Sequence, residues 1–172
     1  MPVIHTPRLT LTPVDLPTYE AIFAGMPELG KHLNVSVPTV FSEFGLEPYR
    51  YSYEQIKENP ASAQWWTYLF TYSQRQALAG VGGYAGAPNE QGTVEIGYSI
   101  YENFQNQGLA TEAAQGLIQQ AFEHPNVIIV QAHTLAEENA SVCVLKKCGM
   151  VFTAEIESPE DGALWQWQIG QK

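Results

Sequence analysis

Gln105-Asn106-Gln107-Gly108-Leu109-Ala110 decides how this chain is read, because it stands between two segments of different period. Before it, Thr93-Val94-Glu95-Ile96-Gly97-Tyr98-Ser99-Ile100 alternates, with Val94, Ile96, Tyr98 and Ile100 on one face and Glu95, Gly97 and Ser99 on the other, the pattern of a half-buried strand. After it, Ala110, Ala113, Ala114, Leu117, Ile118, Ala121 and Phe122 form the apolar stripe of an amphipathic helix that Pro125 stops. A loop so placed exposes unpaired main-chain amides at the positive end of a helix dipole. It can therefore hold an anion such as a pyrophosphate without basic side chains. Gly108 allows a close backbone approach. A glycine loop alone is equally compatible with an ordinary strand-to-helix connection.

Downstream, Val127-Ile128-Ile129-Val130 is short and continuously apolar, the pattern of a strand buried on both faces, so the unit is strand, loop, helix, strand. Ser141 to Cys148, with Val142, Leu145 and Cys148 in register, predicts a further helix closed by Gly149 as a left-handed cap. Val151–Glu155 and Leu164–Ile169 read as closing strands around a turn at 159–162.

Upstream, Arg8-Leu9-Thr10-Leu11-Thr12 alternates as a first strand, and Asp15 with Pro17 opens a helix carrying Tyr19, Ile22 and Phe23 on one face. Residues 26–50, broken by Pro27, Gly30, Pro38, Gly45 and Pro48, show no surviving period and are expected to form an irregular, substrate-facing loop. A short helix over 51–57 and a hairpin of 65–72 with 77–84 around Gln74-Arg75-Gln76 complete the order. There is no repeat, low-complexity tract or linker, so a single domain over 1–172 is expected.

The 172 residues suffice for one core, and 45 % hydrophobic with 15 % charged residues describes a packed globule. A net charge of −10 with only 8 Lys and Arg argues against nucleic acid as a partner; it suits a cationic acceptor, although acidity also simply favours solubility. The only cysteines, Cys143 and Cys148, point to different helix faces and are expected to be free thiols. With no basic-then-apolar opening and no run of about 18 apolar residues, a cytoplasmic protein without membrane contact is expected. His5, His32, His124 and His133 have no metal-ligand spacing with the cysteines, so no metal site is expected.

The run from Gly92 to Met150 resembles the core of the GNAT acetyltransferase superfamily, in particular the branch with ribosomal-protein N-terminal acetyltransferases. Gln105, Gly108 and Ala110 match its pyrophosphate signature of Gln or Arg, two residues, Gly, one residue, and Gly or Ala; Thr111-Glu112-Ala113 continues the helix opening. Val94-Glu95-Ile96-Gly97-Tyr98 resembles the family's fourth strand, and Leu145-Lys146-Lys147-Cys148-Gly149-Met150 the end of its fourth main helix. The chain departs from the family at Asn106 and Gln107, where relatives often carry Gly and a basic residue, and at Glu138, where they carry the Asn found here one position later as Asn139.

The resemblance implies an α/β (α+β) fold with a mixed central sheet of about seven strands and about four flanking helices. It implies an enzyme that passes the acetyl group of acetyl-CoA to a primary amine, on a small molecule or a protein N-terminus, by direct attack. Gln105, Asn106, Gln107, Gly108, Leu109, Ala110, Thr111 and Asn139 would hold the co-substrate, with Ser99 and Ile100 lying along its pantetheine arm mainly through backbone groups. Glu95 is the candidate base, its alternative being a solvated strand residue; Ser141 is the candidate donor to the leaving thiolate, its alternative a helix N-cap. Leu145 occupies the place of the family's usual tyrosine acid. His133 ends its strand and could face the cleft, but with no partner readable it reads as structural or incidental, and Trp65 and Trp66 read as packing. The competing reading is a non-catalytic acyl-CoA-binding sensor, and the protein is expected to be a monomer or homodimer.

Overall fold

The computed structural model describes residues 1–172. Eight strands, β1 (Ile4–His5), β2 (Leu9–Pro13), β3 (Thr67–Tyr72), β4 (Ala77–Tyr84), β5 (Thr93–Ile100), β6 (Ile129–Leu135), β7 (Val151–Ser158) and β8 (Gly162–Gly170), form one sheet in the order β1-β2-β3-β4-β5-β6-β8-β7. All neighbours are antiparallel except β5 and β6. Five α-helices flank it: α1 (Leu16–Ala24), α2 (Met26–Leu33), α3 (Glu47–Glu58), α4 (Leu109–Phe122) and α5 (Ala140–Lys147).

Alternation along the strands builds two cores. Tyr68 and Phe70 of β3, with Val94, Ile96, Val130 and Ala132, pack under Leu109, Ala113, Ala114, Leu117 and Ala121 of α4, and Val142 and Leu145 of α5. Each large side chain buried there contributes about 1.5–3 kcal/mol. Leu69, Leu78 and Val81 point the other way, to Tyr19, Ile22, Leu29 and Ile56 of α1–α3. The α1–α3 core buries strand residues of β3 and β4, with Val14 just past the end of β2. Over β5, β6 and β8 that face keeps half-buried or exposed Glu95, Gly97, Ser99, Gln131, His133, Gln166 and Gln168.

Several sequence expectations shift. Residues 26–50 are not one irregular loop: α2 occupies Met26–Leu33, with Pro27 in its first turn, and α3 begins at Glu47 with Pro48 in its own. The strand after α4 starts at Ile129, not Val127, and alternates rather than being buried on both faces, leaving Ile128 59 % exposed. Trp65 closes a 3-10 turn (Pro60–Trp65) instead of opening β3. The helix from Asp15, the segment Thr93–Ile100 and the Gly149 cap lie where the patterns put them; Asp15 Oδ1 accepts the Thr18 amide at 3.0 Å. Both cysteines are free, and no helix is long and apolar enough to cross a membrane.

Candidate active site

The sheet opens between its two parallel strands. β5 and β6 pair only through Thr93–Ile129, Val94–Val130 and Glu95–Gln131. Beyond that, β5 stays tied to β4 as far as Ile100–Gly80, and β6 to β8 as far as Leu135–Leu164, so the inner edges separate into a wedge. Which main-chain groups face the wedge follows from alternation. Ala85 donates to the Glu95 carbonyl and Tyr101 to the Ala79 carbonyl, so odd-numbered residues of β5 bond β4 and even-numbered ones turn inward. On β6, Ile129 donates to the Gly92 carbonyl, so its odd-numbered residues turn inward. Tyr98 and His133 therefore present amide and carbonyl groups to the gap. Ser99, expected to do so, faces β4 opposite Val81, and the Ile100 carbonyl accepts Gln105 Nε2 at 2.9 Å.

At the wide end of the wedge the chain turns into α4. Asn106 (φ 61°) and Gly108 (φ 80°) both adopt left-handed conformations, which Asn tolerates better than other side chains and Gly adopts freely. The bend survives the Asn at 106. The amides of residues 106–111 have no protein acceptor, and α4 has no side-chain N-cap. Uncapped, successive amides at a helix start are the donor set that a diphosphate requires, so the loop fits that group.

The loop is braced from the far side of α4. Arg8 Nη1 donates to the Gln107 carbonyl at 2.7 Å, while its Nε and main-chain amide donate to Glu112 at 2.8 and 2.6 Å. Thr6 Oγ1 adds a fourth bond, to Glu112 at 2.6 Å. Partial burial pushes the Glu112 carboxyl up, but the bonds from Thr6 and Arg8 and the charge of Arg8 outweigh it and hold the group below the usual carboxylate range.

On the open face, Glu95 is not a solitary solvated carboxylate. Its Oε1 lies 2.9 Å from His133 Nδ1, with side-chain exposures of 39 % and 17 % respectively. Gln166 Nε2, which can only donate, lies 3.4 Å from His133 Nε2, and the Thr153 hydroxyl donates to Gln166 Oε1 at 3.0 Å. That chain makes Nε2 the acceptor, so Nδ1 carries the proton and donates to Glu95. The sequence allows His133 to face the cleft but shows no partner for it, so it reads there as structural or incidental; the structure supplies the partner, Glu95. The available signal was the place of His133 on the polar side of the strand paired with the strand of Glu95.

Ser141 is the second residue of α5 and exposed; the cap is Asn139, whose Oδ1 accepts the Val142 amide at 3.0 Å. The serine hydroxyl is thus free of the capping role. The Tyr98 hydroxyl reaches the Ser141 carbonyl at 3.4 Å, and burial, with Cys148 adding to it, pushes that phenol well above its ordinary value, so it stays a donor.

A family model described as "Acetyltransferase (GNAT) domain" matches residues 8–151. An uncharacterized N-acetyltransferase, YjdG, from Bacillus subtilis (strain 168) is 27 % identical over 156 residues, spanning 88 % of this chain and 91 % of that one. Among solved structures, a ribosomal-protein-S5-alanine acetyltransferase from Vibrio fischeri superposes with a TM-score of 0.72 at 15 % identity, covering 99 % of this chain and 97 % of its own. The microcin C7 self-immunity acetyltransferase MccE, in complex with acetyl-CoA and AMP, gives 0.68 at 16 % identity over 96 % and 93 % of the two chains.

Proposed function

The chain belongs to the GNAT acetyltransferase family, and from that premise we infer that it acetylates the free N-terminus of a protein or peptide, using acetyl-CoA bound across the wedge. The observation that carries the reading is the run of main-chain amides at residues 106–111 without a protein acceptor, opening onto a gap edged by the backbone of Tyr98 and His133. The amides of residues 106–111 receive the diphosphate, as a helix start favours. The inward groups of Tyr98 and His133 bond the pantetheine amides as an added strand would. A structural neighbour bound to acetyl-CoA supports this use of the fold.

The thioester supplies an activated acetyl carbon. The amine nitrogen forms a bond to it, the carbon–sulfur bond breaks, and the amine's proton leaves. Glu95, held by His133, takes that proton directly or through water; the freed carboxylate oxygen, Oε2, is the atom available for it. An α-amine, with a pKa of about 8, is partly neutral already and asks less of the base than a lysine near 10.4. Ser141 donates a hydrogen bond to the departing thiolate, which leaves readily because a thiol has a pKa of about 8.5.

The acceptor enters over the face that α1–α3 leave uncovered. The one carboxylate of that face is Glu95, and Gln131, Gln166 and Gln168 beside it are uncharged. The ribosomal-protein neighbour supports a protein acceptor. The acyl-CoA sensor reading draws no support from a site that combines the cradle with a braced carboxylate. Coenzyme A release is the test: incubation with acetyl-CoA should liberate thiol with peptides bearing free N-termini and not with the same peptides N-blocked. Equal rates with blocked peptides, or release only with small amines, would refute a protein N-terminus as acceptor.

A further inference from the structure

The loop that cradles the diphosphate has no cation of its own: none of residues 105–112 is basic, and Glu112 places a carboxylate in the first turn of α4. An unpaired carboxylate there would repel a phosphate by the same geometry that makes the amides attract it. The cation comes from the opposite end of the sequence. Gly116 lets the N-terminal segment close onto α4, since a Cβ there would stand only 3.1 Å from Thr6 and 3.3 Å from Ile4 side-chain carbons. This contact sets Arg8 against the helix start. Its Nε and amide engage both oxygens of Glu112, and its Nη1 fastens the Gln107 carbonyl. Its Nη2 donates to no protein group and lies 3.4 Å from the position a Gly108 Cβ would take.

We propose that Arg8 is a positioning residue for acetyl-CoA: one guanidinium neutralises Glu112 and pins the Gln107–Gly108 main chain, so that a loop without basic side chains still attracts a diphosphate. The proposal rests on the reading of residues 105–110 as the diphosphate cradle. Its planar fork explains why Arg is used, because an ammonium could cancel the charge but could not bond Glu112 and Gln107 together in this geometry.

Calorimetry with coenzyme A, and steady-state kinetics with acetyl-CoA and with S-acetylpantetheine, which lacks the diphosphate, test it on Arg8→Gln, Arg8→Lys and Arg8→Gln/Glu112→Gln. Arg8→Gln should weaken coenzyme A binding about tenfold, the scale of one charge at a helix start, and raise the acetyl-CoA KM alike. Its kcat/KM with acetylpantetheine should stay within about twofold, because that substrate never meets the cradle. The double variant, which removes the unpaired carboxylate but leaves Gln107 unpinned, should regain part of the lost affinity, and Arg8→Lys, the variant most compatible with folding, should fall between wild type and Arg8→Gln. Unchanged coenzyme A binding in Arg8→Gln, an equal loss with acetylpantetheine, or a double variant as weak as the single one would each overturn the proposal. Wild-type protein that gives no heat with millimolar coenzyme A would instead sink the cradle itself.

Discussion

Replacing His133 with Phe separates a base held in place from one that merely happens to be near. The side chain is 17 % exposed, so an aromatic ring of similar width should be accommodated, while the Nδ1 proton that meets Glu95 Oε1 at 2.9 Å disappears. A hydrogen bond to a charged group is worth about 1.5–3 kcal/mol when shielded. Here the carboxylate is 39 % exposed and water competes for it, so about 1 kcal/mol is the fitting figure. If that bond holds the base in its working orientation, kcat/KM for the amine should fall about fivefold. Glu95→Gln removes the proposed base and should cost about a hundredfold or more. Thiol release at saturating acetyl-CoA, with the acceptor peptide varied, measures both, and the acetyl-CoA KM should hardly move in either variant. Full activity in Glu95→Gln would remove the carboxylate from the mechanism. A hundredfold loss in Glu95→Gln alongside a wild-type rate in His133→Phe would show that the base needs no histidine to hold it.

Other outcomes follow from groups away from the wedge. Tyr84 donates to the Leu117 carbonyl at 2.6 Å inside the core beneath α4; Tyr84→Phe should cost about 1 kcal/mol, or roughly 3 °C in Tm by calorimetry, with catalysis unchanged. Burial pushes the Cys148 thiol up to about 11, whereas Cys143 is exposed. At pH 8 a disulfide reagent should therefore react quickly with one thiol per native chain, Cys143, and with both only after denaturation. Because the Glu112 carboxyl is held below its ordinary value of 4.5, its contribution to stability is present above that value and is lost as pH falls through the lowered one. The Tm gap between wild type and Glu112→Gln should be widest near neutrality and close as the pH drops below about 4.

What was legible in the sequence was whatever a local pattern encodes. β5 reads from its alternation, α4 from its stripe, and the end of α5 from Gly149, because strand period, helix period and left-handed caps each need only neighbours in the chain. α2 was hidden by residues that usually punctuate loops: Pro27 sits in its first turn, where a missing amide costs nothing, and Gly30 is tolerated inside it. β1 is two residues long and exists only through its register with Leu11 and Thr10. Nothing within Ile4–His5 could announce it.

The same division separates the two halves of the candidate site. Binding a diphosphate asks for main-chain amides at a bend before a helix, and Gln105–Ala110 states that need in consecutive residues. Side chains that move or hold a proton must instead meet across strands. Glu95 and His133 come together because a three-pair parallel ladder starting at Thr93 and Ile129 sets Glu95 opposite Gln131, so that His133, the next residue on the same face of β6, lies diagonally within reach where the strands begin to part. Arg8 reaches Glu112 because a helix glycine admits the N-terminal segment. Both pairings depend on register and close packing, which no stretch of sequence fixes alone. The groups hardest to see in the sequence are therefore those that would give this chain its own acceptor preference and co-substrate affinity, since the amide cradle is built from backbone alone.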